Sequence, residues 1–502
     1  MNTKALRQKV LDLAIHGKLV PQNPNDESAT VLLEKIRAEK AEKIKKGELK
    51  ADKKDSFIFV GSDKRHYEQF ADGTVKDIED EIPFDVPKGW AWCRLKQLSL
   101  DMADGPFGSN LKAEHYTKNK EARIIQLSNI GEYGWREENT KFTTLEHAKN
   151  NISRSIVEPG NLVIAKMMPA GKAIICPNNE KMYVLSSDAV KLVPTSLINS
   201  NYLLNSINSP FFRASVTDNV QGTTRLRTSI SKLRECFFPL PPFAEQERIV
   251  SSIERIFAQI NNLEESKSNL ESVIKQTKSK ILDLAIHGKL VPQDPNDEPA
   301  EELLKRIATS DNRPYEKVDE EPFEIPDSWK WVKLSSICNK LVDGDHNPPK
   351  GIEEKTEYIM ASSRNINYDR LDDLENVRYL SKEVFEIENN RTKAEKGDIF
   401  FTSVGSLGRS CIYSGDYNIC FQRSVTVLNT NINNQFLKYF FDSNFFQTYV
   451  IEHSTGTAQI GFYLKEMANS PVTIPPMHEQ ARIVAEISEL FFQLDQIQNN
   501  LV

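Results

Sequence analysis

Residues 244–287 have the sequence AEQERIVSSIERIFAQINNLEESKSNLESVIKQTKSKILDLAIH. Apolar side chains recur there in alternating steps of four and three, and no Gly or Pro lies between Pro242 and Gly288. A seven-residue repeat of this kind predicts one long helix packed against a partner helix. Lys267 and Thr277 interrupt the apolar seam, whose members are Ile249, Ile253, Ile256, Ile260, Leu263, Leu270, Ile274, Ile281 and Leu284.

Two internal repeats identify the partner helix. Residues 475–484 repeat residues 241–250 at a constant offset of 234, and residues 11–22 are identical to residues 282–293 at an offset of 271. In this alignment Val502 corresponds to Ser268 and Met1 to Ser272, so the chain ends rebuild the central helix with a gap of three positions. We therefore predict that the N-terminal and C-terminal helices together form the second helix.

The order of these helices predicts their direction. The central helix leaves one globular segment and enters the next, whereas the composite helix leaves the second segment and returns to the first. The two helices must then run antiparallel, and a pseudo-twofold axis relates the two globular segments. Duplex DNA has dyads of the same kind, and proteins that bind two separated half-sites often share this symmetry.

The repeats divide the chain into six segments. These are an N-terminal helical segment (1–37), a charged tract (38–80), a first domain (81–242), a central region with the long helix (243–310), a second domain (320–475) and a C-terminal coiled-coil helix (476–502). The charged tract is rich in Lys, Glu and Asp, which predicts a solvated loop or arm.

The two domains share a set of matched residues, and the sequence between these matched positions differs. The matched positions include Asp104-Gly105 with Asp343-Gly344, Asn129 with Asn365, Gly160 with Gly397, and Gly171 with Gly408. Val- and Ile-rich runs at 161–165 and 398–401 predict strands, and residues 203–212 and 435–446 predict helices. The predicted fold class is two pseudo-twofold-related α/β (α+β) domains, joined by a long antiparallel two-helix coiled coil.

Composition and charge bound the class of protein. The 502 residues are 39% hydrophobic, with no apolar run of membrane length and charges within the first apolar stretch, so we expect neither a membrane span nor a signal peptide. The six cysteines show no metal-binding or disulfide spacing, which predicts a reducing cytoplasm. Net charge is −7, but residues 91–240 hold 19 Lys/Arg and 13 Asp/Glu (+6), against 15 and 18 (−3) in residues 331–474.

Three features together resemble the specificity subunit of Type I restriction-modification enzymes. They are the repeated helical segments, the Pro-Pro-x-x-Glu-Gln openings at 241–246 and 475–480, and the Gly-Asp-Ile-Phe-Phe strand at 397–401. The resemblance covers essentially the whole chain. In that family two target-recognition domains each recognise one half of a bipartite DNA site, while the helices set the spacer and bind partner subunits.

The resemblance also implies the partners and cofactors. It implies double-stranded DNA, two methyltransferase subunits and restriction/translocase subunits as partners, with no membrane. This chain would then hold no catalytic residue, no metal and no cofactor. S-adenosylmethionine, ATP and Mg²⁺ are expected on the partner subunits.

Direct recognition of base edges requires fork-shaped donors and amides on loops, with glycines that allow close backbone approach. The loop at 104–112 resembles the glycine-rich recognition loop of the family, and 343–350 is its counterpart. A turn glycine or a solvated charge is the simpler explanation for each single residue. The predicted DNA-binding residues are Gly105, Ser109, Lys112, Ser128, Asn129, Lys166, Lys172, Arg225 and Arg227 in the first domain, and His346, Asn347, Arg364, Asn365 and Arg409 in the second.

Two alternatives remain open. A non-catalytic scaffold that binds only proteins is favoured slightly by the −3 charge of the second domain. An enzyme is disfavoured: Asn347-Pro348-Pro349 resembles an adenine methyltransferase motif, but Lys350 stands where an aromatic residue should stack on the flipped base. No glycine-rich cofactor loop follows a predicted strand.

Overall fold

The computed structural model describes residues 2–52, 54–107, 110–167, 170–217, 227–310, 312–456 and 460–500. It forms two compact units, Met1–Glu265 and Ser266–Val502. The boundary between them lies inside one helix. No helix in the described part of the chain is long and apolar enough to span a membrane.

The first unit contains helices and strands in a mixed order. Its helices are α1 (Thr3–Ile15), α2 (Ala29–Lys45), α3 (Leu145–Asn150), α4 (Ser200–Ile207), α5 (Pro210–Thr217), α6 (Ile230–Glu235) and the first part of α7 (Phe243–Ile286). Its strands are β1 (Ser56–Val60), β2 (His66–Phe70), β3 (Val75–Asp77), β4 (Ala91–Arg94), β5 (Ser99–Asp104), β6 (Tyr116–Thr117), β7 (Ala122–Ile125), β8 (Ile130–Gly131), β9 (Gly134–Trp135), β10 (Phe142–Thr143), β11 (Ile156–Val157), β12 (Leu162–Ala165), β13 (Ala173–Ile175), β14 (Tyr183–Leu185), β15 (Ala189–Pro194) and β16 (Phe237–Leu240).

The second unit contains the rest of α7 and the following elements. The helices are α8 (Ala300–Ser310), α9 (Lys382–Thr392), α10 (Asn434–Asp442), α11 (Asn444–Glu452), α12 (Leu464–Ala468) and α13 (Met477–Asn499). The strands are β17 (Lys330–Lys333), β18 (Cys338–Asp343), β19 (Tyr358–Ala361), β20 (Arg378–Tyr379), β21 (Ile399–Thr402), β22 (Ser410–Ile412), β23 (Asn418–Phe421), β24 (Val425–Thr430) and β25 (Pro471–Ile474).

Helix α7 confirms the long helix that the heptad pattern predicts. Within the described chain it runs without a break over 44 residues. The seam residues Ile249, Ile260 and Ile274 are buried, but Leu263 is 51% exposed, so its assignment to the seam is wrong. Its neighbour Glu264 instead faces α1, where its Oε2 lies 3.0 Å from Arg7 Nη2.

The same polar contact joins the helices in each unit. In the first unit Arg7 Nη2 donates to Asn261 Oδ1 over 2.6 Å. In the second unit Lys278 Nζ donates to Asp495 Oδ1 over 2.6 Å. The repeat offsets of 271 and 234 map the first pair onto the second.

A second contact that recurs in both units shows the direction of these helices. Arg248 bonds Asp26 in the first unit and Arg482 bonds Asp297 in the second. In the first unit the contacts of α7 therefore move from Arg7 on α1 to Asp26, in the turn that follows α1, as α7 is traced back from 261 to 248. The predicted antiparallel direction is thus present in each unit.

The two units share a four-stranded sheet of the same strand order and a parallel strand pair. The first unit has a four-stranded antiparallel sheet in the order β13-β12-β15-β5, and the second has β22-β21-β24-β18. A second sheet contains a parallel pair, β7 with β14 and β19 with β23. The entry strands β4 and β17 pair with β16 and β25, next to the start of α7 and α13. Both units are therefore α/β domains built on one plan, as the matched skeletons predict.

Each of the two predicted domain helices is in fact a pair of helices. The range 203–212 spans the break between α4 and α5, and 435–446 spans the break between α10 and α11. A serine caps the second helix of each pair: Ser209 Oγ accepts from Phe212 N, and Ser443 Oγ accepts from Phe446 N. The caps allow the chain to turn while satisfying the first amides of the new helix.

The prediction of a loop or arm for residues 38–80 is wrong. Helix α2 continues to Lys45, and β1, β2 and β3 form a three-stranded antiparallel sheet. Glu68 on β2 is only 2% exposed, because its carboxylate accepts from Ser56 Oγ (2.6 Å) and Arg94 Nη2 (2.7 Å). The charged composition concealed this sheet, since one of its charges is neutralised inside the protein.

This buried ion pair predicts a large local effect. Replacing Glu68 by Ala is expected to cost about 3 kcal/mol, the lower end for a broken buried ion pair, because the buried Arg94 guanidinium is then left with the half-exposed Glu81 carboxylate at 3.8 Å. Hydrogen exchange of the β1–β3 amides measures the loss. Asp77→Asn is the matched control, since its ion pair with Arg65 on the same sheet is exposed and its removal should leave exchange nearly unchanged.

The same pair predicts a pH dependence. Burial raises the pKa of Glu68, but the hydrogen bonds from Arg94 and Ser56 outweigh burial and hold that pKa below its ordinary value. The stabilisation is therefore present above the ordinary glutamate pKa of ~4.3 and is lost as the pH falls below it. The difference between wild type and Glu68→Ala should shrink at acidic pH; equal exchange rates in the two proteins at neutral pH would contradict the role of the pair.

Candidate nucleic-acid interface

Four loops of the second unit meet at one place. They follow β18 (344–347), β19 (362–365) and β21 (403–409), and the fourth joins β23 to β24 (422–424). Arg423 N donates to Asp345 O (2.7 Å), Ser363 N to Ser424 Oγ (3.0 Å), and Ser403 N to Ser424 O (2.9 Å). The bonds hold the four loops together as one surface, which we call the second loop surface.

Three arginines on the second loop surface lack a counter-charge among the described residues. Arg364 and Arg423 are exposed and Arg409 is half-buried. Within the described ranges, no hydrogen bond or ion pair engages any of the three guanidinium groups. A free guanidinium presents five donors in a planar fork, which suits phosphate oxygens or the edge of a guanine.

The loop after β18 adds polar groups to the second loop surface. His346 is exposed and its Nε2 lies 3.9 Å from Asp343 Oδ2. Burial raises the pKa of Asp343 above its ordinary value, although the hydrogen bond from Thr426 opposes the shift. Asn347 is exposed, so the amide predicted to contact DNA is accessible.

Four loops of the first unit meet in the same arrangement. They are 105–107, 126–129, 166–167 and 186–188, and we call their surface the first loop surface. Gly105 N donates to Ala189 O (3.1 Å), Ser186 N to Ile125 O (3.0 Å), and Lys166 N to Asp188 O (2.8 Å). The common skeleton therefore places corresponding loops together in both units.

The cations near the first loop surface are neutralised by carboxylates. Lys166 Nζ lies 2.7 Å from Asp104 Oδ1, and Arg227 Nη2 lies 2.7 Å from Asp188 Oδ1. Lys172 Nζ lies 2.9 Å from Glu132 Oε2. Burial raises the pKa of Glu132, but the neighbouring cations outweigh burial and hold it below its ordinary value. DNA phosphates would have to compete with these carboxylates for Lys166, Lys172 and Arg227.

Four further predicted residues of the first unit divide into two groups. Lys112 is exposed, with Glu114 3.9 Å away, and Ser128 is half-buried. For these two residues DNA contact stays a prediction. Ser109 and Arg225 lie outside the described residues.

Asn129 and Asn365, which the sequence predicts as DNA contacts, are buried structural residues. They are 0% and 2% exposed. Oδ1 of Asn129 accepts from Gln126 N (2.9 Å), and Oδ1 of Asn365 accepts from Ser362 N (3.0 Å). Each amide nitrogen donates to a backbone carbonyl farther along the chain. We therefore remove both asparagines from the candidate interface.

Gly105 is also a structural residue and offers no surface to DNA. It is buried, and a Cβ atom there would lie 1.7 Å from Ser186 O. The counterpart Gly344 is equally constrained, with Gln422 O at 2.3 Å from such an atom. Only glycine allows this approach between the first and fourth loops, so these glycines build the surface but do not contact its ligand.

Arg423 is the residue that sequence reasoning missed. It lies in the short turn between β23 and β24, and it is not one of the positions that match between the two domains. The alignment of the two domains could have indicated it, because this turn corresponds to residues 186–188 of the first unit. The turn of the first unit contains Asp188 and the turn of the second contains Arg423, so the two turns carry charges of opposite sign.

The whole chain is similar to a known protein family. A family model described as the Type I restriction modification DNA specificity domain matches residues 110–272 and 326–501. The chain is 27% identical to the Type I restriction enzyme EcoAI specificity subunit of Escherichia coli, over 97% of this chain and 88% of that protein. It is 25% identical to the EcoEI specificity subunit of the same species, over 99% and 90%.

A solved structure has the same fold. It comes from a study of complex assembly and conformational transition of the type I R-M system. It aligns with 84% of this chain and 94% of its own, with a TM-score of 0.56 and 16% identity. At that identity the likeness concerns the fold alone.

Proposed function

The chain belongs to the family of Type I restriction-modification DNA specificity subunits, and we propose that each unit contacts one half of a bipartite DNA site through its loop surface. The observation that carries this proposal is the second loop surface, where three arginines that have no counter-charge in the described part of the chain stand on loops joined to each other by hydrogen bonds. Phosphate contacts would position the unit and base contacts would give specificity.

The duplicated architecture supports a bipartite site. Both units contain the same four-stranded sheet, the same parallel strand pair and the same loop junctions, yet their loop residues differ in charge and chemistry. One plan with different loops suits the recognition of two different half-sites. We further propose that the antiparallel helices fix the number of base pairs between the halves.

We propose that catalysis takes place on partner subunits. Two methyltransferase subunits and restriction/translocase subunits would dock on this chain, and they would bind S-adenosylmethionine, ATP and Mg²⁺. The described cysteines are all free, which suits the reducing cytoplasm in which such a complex would act.

The methylome tests this proposal. Cells that carry this gene with its methyltransferase gene are compared with cells that carry the methyltransferase gene alone. A bipartite motif with a modified adenine in each half, seen only when this chain is present, is the expected result. Identical methylomes would favour the scaffold hypothesis instead.

An exchange of residues 91–240 assigns the halves. Replacing them by the corresponding domain of another family member should change one half of the motif and leave the other half and the spacer unaltered. A change in both halves would contradict independent recognition by the two units.

A further inference from the structure

Phe107 and His346 occupy the same position in the two units. Each stands three residues after the aspartate that ends its strand, β5 or β18, and two residues after Gly105 or Gly344. Gly105 N donates to Ala189 O and Gly344 N donates to Val425 O, so the loops leave their sheets in the same way. Phe107 is 64% exposed, and the His346 side chain is 54% exposed.

The base of the first loop gives Phe107 a fixed starting point. Gly105 and Pro106 are buried, and Gly105 packs against Ser186 too closely for any side chain. Lys166 Nζ lies 5.2 Å from the centre of the Phe107 ring, and Asp104 holds that ammonium at 2.7 Å. The phenyl ring therefore leaves the first loop surface from an anchored backbone, beside an anchored cation.

Single exposed apolar residues are common on protein surfaces and need no explanation by themselves. Phe107 differs in its place, because it stands on the surface where four loops meet. A phenyl ring neither donates nor accepts a conventional hydrogen bond. Among the base edges in the major groove, the C5-methyl group of thymine is the apolar feature that such a ring can contact.

Resting on the proposed function, we infer that Phe107 contacts the C5-methyl group of a thymine in the half-site bound by the first unit. The contact makes Phe107 a specificity-determining residue for that half. His346, at the same position of the second unit, carries a ring with hydrogen-bonding nitrogens. The two units therefore differ in chemistry at one shared position of their recognition loops.

Deoxyuridine, which lacks the C5-methyl group, tests this contact. The full chain with its methyltransferase subunits is titrated with DNA that carries the motif, and each thymine of the first half is replaced in turn. Wild type should bind roughly tenfold more weakly when one particular thymine is replaced. Phe107→Ala should bind thymine DNA roughly tenfold more weakly than wild type and show no difference between thymine and deoxyuridine there.

Two further variants control this experiment. Phe59→Ala removes another exposed phenyl ring of the first unit, on β1, and should keep both the affinity and the sensitivity to deoxyuridine. Phe107→Leu keeps an apolar side chain and should retain part of the sensitivity. Folding failure of Phe107→Ala is recognised by loss of binding to the second half as well, in which case Phe107→Leu decides.

The inference is overturned in either of two cases. These are a wild type insensitive to deoxyuridine throughout the first half, and a Phe107→Ala protein that keeps the sensitivity. Each case leaves the proposed function intact, because wild type would still prefer its motif over unrelated DNA. Absence of that preference in wild type would instead count against the proposed function.

Discussion

The double variant Arg364→Ala, Arg423→Ala is expected to bind motif DNA roughly a hundredfold more weakly than wild type. Both guanidinium groups are exposed and free of partners in the described chain, so their full donor capacity is available to DNA. No internal ion pair has to break before they bind. Their loss also leaves no buried partner unsatisfied, so folding should be unaffected.

The salt dependence of binding separates two roles for these arginines. If both contact phosphates, the slope of log affinity against log salt concentration should fall in magnitude by about 2. If both contact bases, the slope should stay and the motif should relax in one half. Binding isotherms at several salt concentrations give the slope, and the methylome gives the motif.

Arg306→Ala is the control for the double variant. Arg306 lies on α8 of the same unit and is also exposed, but it forms an ion pair with Glu298 away from the loop surface. Its removal should alter neither affinity nor slope. The interface assignment would be abandoned if the double variant behaved like this control.

Gly105→Ala is expected to destabilise the first unit by about 3 kcal/mol, near the upper end for an overpacked interior. The new Cβ atom would lie 1.7 Å from Ser186 O, which belongs to the backbone and cannot rotate away. Ser186 is held in turn by its bond to Ile125 O. Relief of the clash therefore requires the first and fourth loops to separate.

The functional result should be confined to one half of the motif. Gly105→Ala should lose modification in the first half before the second, whereas Gly344→Ala should do the reverse. Thermal denaturation and the methylome of each variant measure the two effects. Gly351→Ala is the control, because the nearest atoms to its Cβ lie 3.3–3.5 Å away and its loss should be mild. Full stability of Gly105→Ala would refute the close approach.

The sequence predicted the helices because their information is repeated and periodic. The seven-residue spacing, the identity of 11–22 with 282–293, and the copy of 241–250 at 475–484 require no knowledge of distant contacts. They led to the length of α7, its partners and the antiparallel direction. The strands β12 and β21 were predicted for the same reason, since each is a short apolar run bounded by glycines.

The loops of the candidate site were predicted more reliably than its individual residues. The loops after β5 and β18 were identified from matched Asp-Gly pairs, and the structure places them on the two loop surfaces. The prediction of individual residues was wrong for Asn129 and Asn365, which are buried and hold the backbone of their loops. A residue that both domains share can have a structural role or contact a ligand, and a single sequence does not distinguish the two.

The distribution of charge shows most clearly what the sequence alone does not predict. By composition the first domain is the more basic one, +6 against −3, and was the better candidate for DNA. The structure pairs Lys166 with Asp104, 62 positions earlier, and Arg227 with Asp188, 39 positions earlier, while Arg364 and Arg423 have no such partner within the described ranges. Periodicity and repeats are local properties of a sequence, so the sequence by itself determined the helices and the two-domain plan. Which charges cancel depends on distances of about 3 Å between residues far apart in the chain, and only the tertiary structure decides those.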